Sequence, residues 1–187
     1  MAALVAGQVS VDPAEFTQVK YDANEIAAIV GSLAETLGVS NSISLVVDET
    51  TLLAKITCSI DAPSSDATIL INAMSGAIEN TKHLTTLGIN QTQTSVGRML
   101  LRARDRMRSD FAGAGADDDL TLAESAAWDT YCAGRLARAG IEINTQRWHY
   151  NHRNRFGFSN ASDADFERLW AADELSWSEV VAGIADI

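Results

Sequence analysis

Ser42-Ile-Ser-Leu-Val-Val47, Leu52-Leu-Ala-Lys-Ile-Thr-Cys-Ser-Ile60 and Ala67-Thr-Ile-Leu-Ile-Asn-Ala73 follow one another with only short polar segments between them. All three are rich in β-branched residues, which fit a pleated, half-buried surface, and they read as three strands. Lys55, Thr57 and Ser59 alternate with Ala54, Ile56, Cys58 and Ile60, so the middle strand has one apolar face that includes Cys58. The connections 48–51 and 61–66 are too short to hold a crossover helix, and an antiparallel meander is the expected sheet.

Upstream, residues 22–37 place Ile26, Ile29, Val30, Leu33 and Leu37 on one helical face, with Asp22 and Glu25 as a capping pair and Gly38 as the stop. Residues 1–20 carry Pro13 and no sustained period, and read as a loosely structured lead-in. Downstream, the polar, Thr-rich residues 79–94 read as a long loop before a helix over 96–110. A flexible acidic linker at 112–119 precedes the capping box Thr121/Glu124 and a helix to about Ala139. Residues 145–156 read as a helix ending at Gly157, with a strand as the alternative. Ser162/Asp165 and Ser176/Glu179 each match a capping pattern opening a short helix. The expected fold class is α+β: an N-terminal helix, a three-stranded antiparallel meander, and a helical C-terminal half packed on the sheet. A single domain over 21–187 follows from the length, behind the lead-in.

The chain has 25 acidic and 14 basic residues, a net charge of -11, yet ten of its eleven arginines fall between Arg98 and Arg155. Arginine suits planar, bidentate recognition of carboxylate or phosphate, so this concentration points to an acidic protein partner, a small anionic ligand, or the chain's own carboxylates. The acidic total argues against nucleic acid, since binding a phosphate backbone needs a net basic face. No apolar run is long enough to span a membrane and the N-terminus lacks a basic n-region, so a cytoplasmic protein is expected. The preference for Arg over Lys with abundant Ala reads as bacterial coding bias, and no feature of the sequence sets an oligomeric state.

Two arginine clusters emerge. On 96–110, Arg98, Arg102 and Arg106 recur every four residues with Arg104 and Arg108 in a second row, either a cationic binding ridge or a face paired with local Asp. The second, Arg147-Trp-His-Tyr-Asn-His-Arg-Asn-Arg155, packs His149, His152, Arg147, Arg153 and Arg155 among aromatic rings. His titrates near neutral pH and Arg steadies negative charge, so His149 or His152 is the candidate acid/base and Arg147, Arg153 and Arg155 the candidate anion ligands. The bland reading is a structural helix whose polar groups satisfy its neighbours.

Other candidates weigh less. His83 sits in the 79–94 loop beside Lys82, and Cys132 has only Arg135 nearby to activate it. A zinc site needs three or four protein ligands, which the two histidines do not supply, so no metal and no cofactor are expected. His-Glu-x-x-His, the phosphate-binding Gly-x-x-x-x-Gly-Lys, the Gly-x-Ser-x-Gly elbow and a strand-following Gly-x-Gly-x-x-Gly are all absent. The expectation is a non-catalytic binding or regulatory module, with an enzyme acting on a small phosphate or carboxylate substrate through residues 147–155 as the alternative.

Overall fold

A computed structural model describes residues 8–186, which belong to two compact units divided after Met107. The part of the lead-in over residues 1–7 lies outside the described residues. Val9–Asp12, within the same lead-in, forms strand β1.

The first unit continues with α1 (Ala23–Thr36), β2 (Ile43–Asp48), β3 (Ile56–Ile60), β4 (Ile69–Met74) and α2 (Ile89–Arg106). The strands form one mixed sheet in the order β1-β2-β4-β3. β1 and β4 both run parallel to β2, and only β3 is antiparallel to its neighbour, β4. The expected three-stranded antiparallel meander is therefore incorrect. All three predicted strands exist, but β4 inserts between β2 and β3.

The reason is apolar pairing. Ile43, Leu45 and Val47 of β2 and Ile69, Ile71 and Ala73 of β4 are buried. The register sets Leu45 opposite Ile71, so the two most apolar strands occupy the centre, where each fully buried Ile or Leu contributes about 2 kcal/mol. β3, with Thr57 and Ser59, is left outside.

The segment from β2 to β3 consequently does not close a hairpin but crosses the end of β4. A 3-10 turn at Ser75–Ala77 meets it there. Ser75 donates to the Thr51 carbonyl at 3.1 Å, and Gly76 lies so near the Leu52 carbonyl that any Cβ would collide with it.

α1 supplies the crossover that the parallel β1–β2 pair requires. Asp22 caps it by accepting from the backbone of Asn24 and Glu25, and it ends at Gly38, whose φ of +66° suits a residue without a side chain. α1 packs against α2 and β1, and α2 against β3.

α2 begins at Ile89 rather than near Ser95, which shortens the expected loop to 79–88. Its polar first turns conceal buried contacts: Thr92 is fully buried and its hydroxyl donates to the Gly88 carbonyl at 2.8 Å. At the far end, Arg104 donates to the Leu37 carbonyl at 2.9 Å. Arg106 Nη1 lies 3.1 Å from Cys58 Sγ and 3.4 Å from the Cys58 carbonyl oxygen. Arg102 is 3% exposed. The periodic arginine helix is thus woven into the fold, not laid out as a solvated ridge.

The other side of the sheet carries exposed Asp12, Val46, Asp48, Leu70 and Asn72, with a shallow cleft of about 200 Å³ between Val46, Thr57, Asn72 and Met74.

The second unit holds α3 (Leu122–Arg138), α4 (Thr145–Phe156), α5 (Asn160–Ala171) and α6 (Trp177–Val181). The Thr121/Glu124 capping box opens α3, and Ser176/Glu179 opens α6. Residues 145–156 are helix: Asn144 caps the start, and Gly157, at φ +96°, ends it. α5 begins earlier than the Ser162/Asp165 pattern implied, because Ser159 is its cap.

The core of this unit joins Trp128 to Phe111 and Trp177, with ring centroids 5.4 and 5.1 Å away. Tyr131 is buried, its hydroxyl donating to the Asp173 carbonyl at 2.7 Å and accepting from Leu175 N at 3.0 Å. Among the described residues no helix is long and apolar enough to cross a membrane.

Candidate functional site

α4 carries all five residues of the second cluster, and its helical phase sorts them. Successive residues turn by about 100°, so His152 and Phe156 point inward and are buried, while Arg147, Tyr150, Asn151, Asn154 and Arg155 are exposed. His149 and Arg153 sit at the margin, facing α5.

At that margin Asp163, in the first turn of α5, serves both of them. Its Oδ1 lies 2.8 Å from His149 Nε2. Arg153 grips it bidentately, Nε on Oδ1 and Nη2 on Oδ2, both at 2.6 Å. The Arg153 guanidinium, followed by His149, holds the Asp163 carboxyl far below the usual carboxylate range. The His149 ring also stacks on Phe166, with centroids 4.4 Å apart. Charge that the sequence offered to a ligand is here largely spent within the protein.

Deeper, the His152 side chain is fully buried. Its Nε2 lies 3.5 Å from Asp165 Oδ2, and the Asp165 side chain is only 9% exposed. Nδ1 lies 3.4 Å from Thr130 Oγ1 of α3, and the ring packs on Phe156 at 4.4 Å. Arg168 closes the group, with Nη2 2.6 Å from Asp165 Oδ1. Burial pushes the Asp165 carboxyl up, but its contacts with His152 and Arg168 outweigh burial and leave it lowered.

Thr130, His152 and Asp165 have the hydroxyl-imidazole-carboxylate order of a nucleophilic relay, yet the geometry does not serve one. The Thr130 hydroxyl already donates to the Ala126 carbonyl at 2.9 Å. His152 Nε2 has no hydrogen-bond partner among the described residues, and 3.5 Å is long for a productive bond. Thr130 and His152 are each 2% exposed, which leaves a substrate no approach. What the arrangement does is tie α3, α4 and α5 together.

The five predicted residues therefore do not converge on one point. His149 and Arg153 meet at Asp163, His152 lies inside on Asp165, and Arg147 and Arg155 project outward. No side-chain hydrogen bond or ion pair holds either of these two among the described residues.

Beside them stands a feature that the sequence reading passed over. Tyr150 and Phe158 are 58% and 66% exposed and form an edge-to-face pair with centroids 5.9 Å apart at 69°. Arg153 lies 6.0 Å from the Phe158 ring. The signal was Phe158 itself, a large apolar residue just past a helix-terminating glycine and about two turns beyond Tyr150 on the outer face.

The remaining candidates are not gathered into a site. His83 is exposed, its backbone donating to Asn80 Oδ1 at 3.3 Å. Cys132 is fully buried, with Arg135 Nη2 3.3 Å from its sulfur. Among the described residues no group of three or more His, Cys, Asp or Glu is placed to hold a metal ion. No family model, curated protein or solved structure matches the chain.

Proposed function

We propose that the protein is a non-catalytic binding module and that the outer face of α4 docks an anionic partner. One observation carries this reading: on a chain of net charge -11, α4 contains no acidic residue and turns Arg147 and Arg155 outward beside an exposed aromatic pair. Exposed Tyr, Phe and Arg together are the composition of interface hot spots. An isolated basic face on an acidic protein steers anions toward itself and away from the remaining surface. The enzyme alternative needs His149 or His152 at a cleft, and both rings are engaged by α3 and α5 instead.

A reducing cytoplasm suits this reading, since Cys58 and Cys132 are both buried thiols outside any disulfide.

The test is fluorescence anisotropy with labelled hexaglutamate and hexalysine. Hexaglutamate is expected to bind with an affinity that falls as salt rises, hexalysine not to bind, and the Arg147→Ser/Arg155→Ser double variant to lose the signal. Absence of hexaglutamate binding at low salt, or equal binding by the double variant, sinks the reading.

A further inference from the structure

Resting on that docking role of α4, we infer that its partner is an extended peptide segment with the pattern acidic-x-apolar-x-acidic, laid along the outer face of the helix. The spacing comes from α4. Arg147 and Arg155 are eight residues apart, so their levels along the helix axis differ by about 12 Å, with Tyr150 about 4.5 Å along from Arg147. In an extended chain, residues i, i+2 and i+4 share one face and span about 13 Å. Two carboxylates at i and i+4 thus match the axial separation of the two arginines, whose long side chains span the roughly 80° between them around the helix, and a large side chain at i+2 falls within about 2 Å of the level of Tyr150.

Between the arginines, Asn151 and Asn154 complete an outward ridge with Arg147 at helical spacings of four and three. Neither amide has a side-chain hydrogen bond among the described residues, so both can donate to and accept from a main chain. An extended peptide has backbone groups to offer them, whereas a helical partner has already spent its own.

Nucleic acid fits less well. Two outward arginines on a chain of charge -11 make few phosphate contacts, too few for the counterion release that drives nucleic-acid binding.

The experiment compares labelled peptides on the full chain. The first is Ser-Glu-Ser-Phe-Ser-Glu-Ser, and the second, Ser-Ser-Glu-Glu-Phe-Ser-Ser, has the same composition with the carboxylates adjacent. The spaced peptide is expected to bind at least about fivefold more tightly, and Tyr150→Ser/Phe158→Ser and Arg147→Ser/Arg155→Ser are each expected to weaken it about tenfold or more. Circular dichroism of these surface variants confirms that they fold.

Equal binding of the two peptides overturns the inferred pattern while leaving an anion-docking α4 standing. Tighter binding of a single-stranded oligothymidylate has the same effect. Concentration-dependent self-association abolished by Tyr150→Ser/Phe158→Ser, with no peptide bound, makes the partner a second copy and overturns the peptide. No binding by either peptide or by hexaglutamate, without self-association, overturns both proposals.

Discussion

Gly134 in α3 lies directly beneath the backbone of Trp170 in α5, so that a Cβ built at Gly134 would collide with the Trp170 carbonyl oxygen and carbon. The close approach is helix against backbone, which cannot move aside as a flexible side chain can. Arg138, one turn further along α3, completes the contact by donating to the Trp170 and Ala172 carbonyls and gripping Asp173 at 2.7 Å.

Gly134→Ala is therefore expected to destabilise the protein by about 2 kcal/mol or more, through overpacking. In an exposed helix the same change stabilises by about 1 kcal/mol. Urea denaturation reads the sign, and a gain in stability would disprove the close packing of α3 on α5.

Asp165 gives the fold an acid-side dependence. Its carboxyl is lowered from the ordinary value of 3.8, so its contribution is fully present above that value and is lost as pH falls through the lower folded value. The melting temperature of Asp165→Asn is expected to fall less than that of the parent chain between pH 5 and pH 2. Asp165→Ala, which removes the carboxylate between buried His152 and part-exposed Arg168, is expected to cost roughly 2 kcal/mol near neutrality, the range for a lost charge-assisted hydrogen bond.

Asp163 restrains the positive charge of Arg153. Asp163→Asn is expected to lower the melting temperature and, at the same time, to strengthen hexaglutamate binding, because a released guanidinium at the margin of α4 adds to Arg147 and Arg155. Weaker hexaglutamate binding by a folded Asp163→Asn variant would contradict the docking role of this face.

Thr121→Ala removes the hydroxyl that accepts from Glu124 N at 3.2 Å at the head of α3. A loss of about 1 kcal/mol is expected, measured by thermal unfolding, with no change in peptide binding since α4 is untouched.

What could be read from the sequence was the local chemistry. Asp22, Thr121 and Ser176 announced their helices because a capping side chain acts within three residues, and Gly157 settled the end of α4 in the same way. The order of the strands depends on which apolar faces meet across the sheet, and short connections do not encode the insertion of β4 between β2 and β3. β1 escaped because Val9–Asp12 alternates over only four residues before Pro13, too short a run to stand out, and the start of α2 escaped because Thr92 and Ser95 are polar residues used as core.

The site was half legible for a related reason. His149, His152 and Arg153 stood out as chemistry, but their counter-charges lay on another helix, where Asp165 looked like part of a cap and Asp163 stood beside it. Burial reassigns such residues: paired with α5, the two histidines and Arg153 hold the helices together, while Arg147 and Arg155 keep their reach into solvent.

The guanidinium of Arg106 has one more consequence. In the antiparallel β3–β4 pairing, Met74 N bonds to the Lys55 carbonyl and Asp61 N to the Thr68 carbonyl, so the intervening Cys58 carbonyl points outward from the sheet. Arg106 sits on that oxygen. An incoming strand from another molecule needs the same acceptor, and to reach it must displace a part-buried guanidinium contact as well as water. Arg106 thereby competes with strand addition at the β3 edge, and Arg106→Ala is expected to aggregate more readily than the parent chain, as read by light scattering on mild heating.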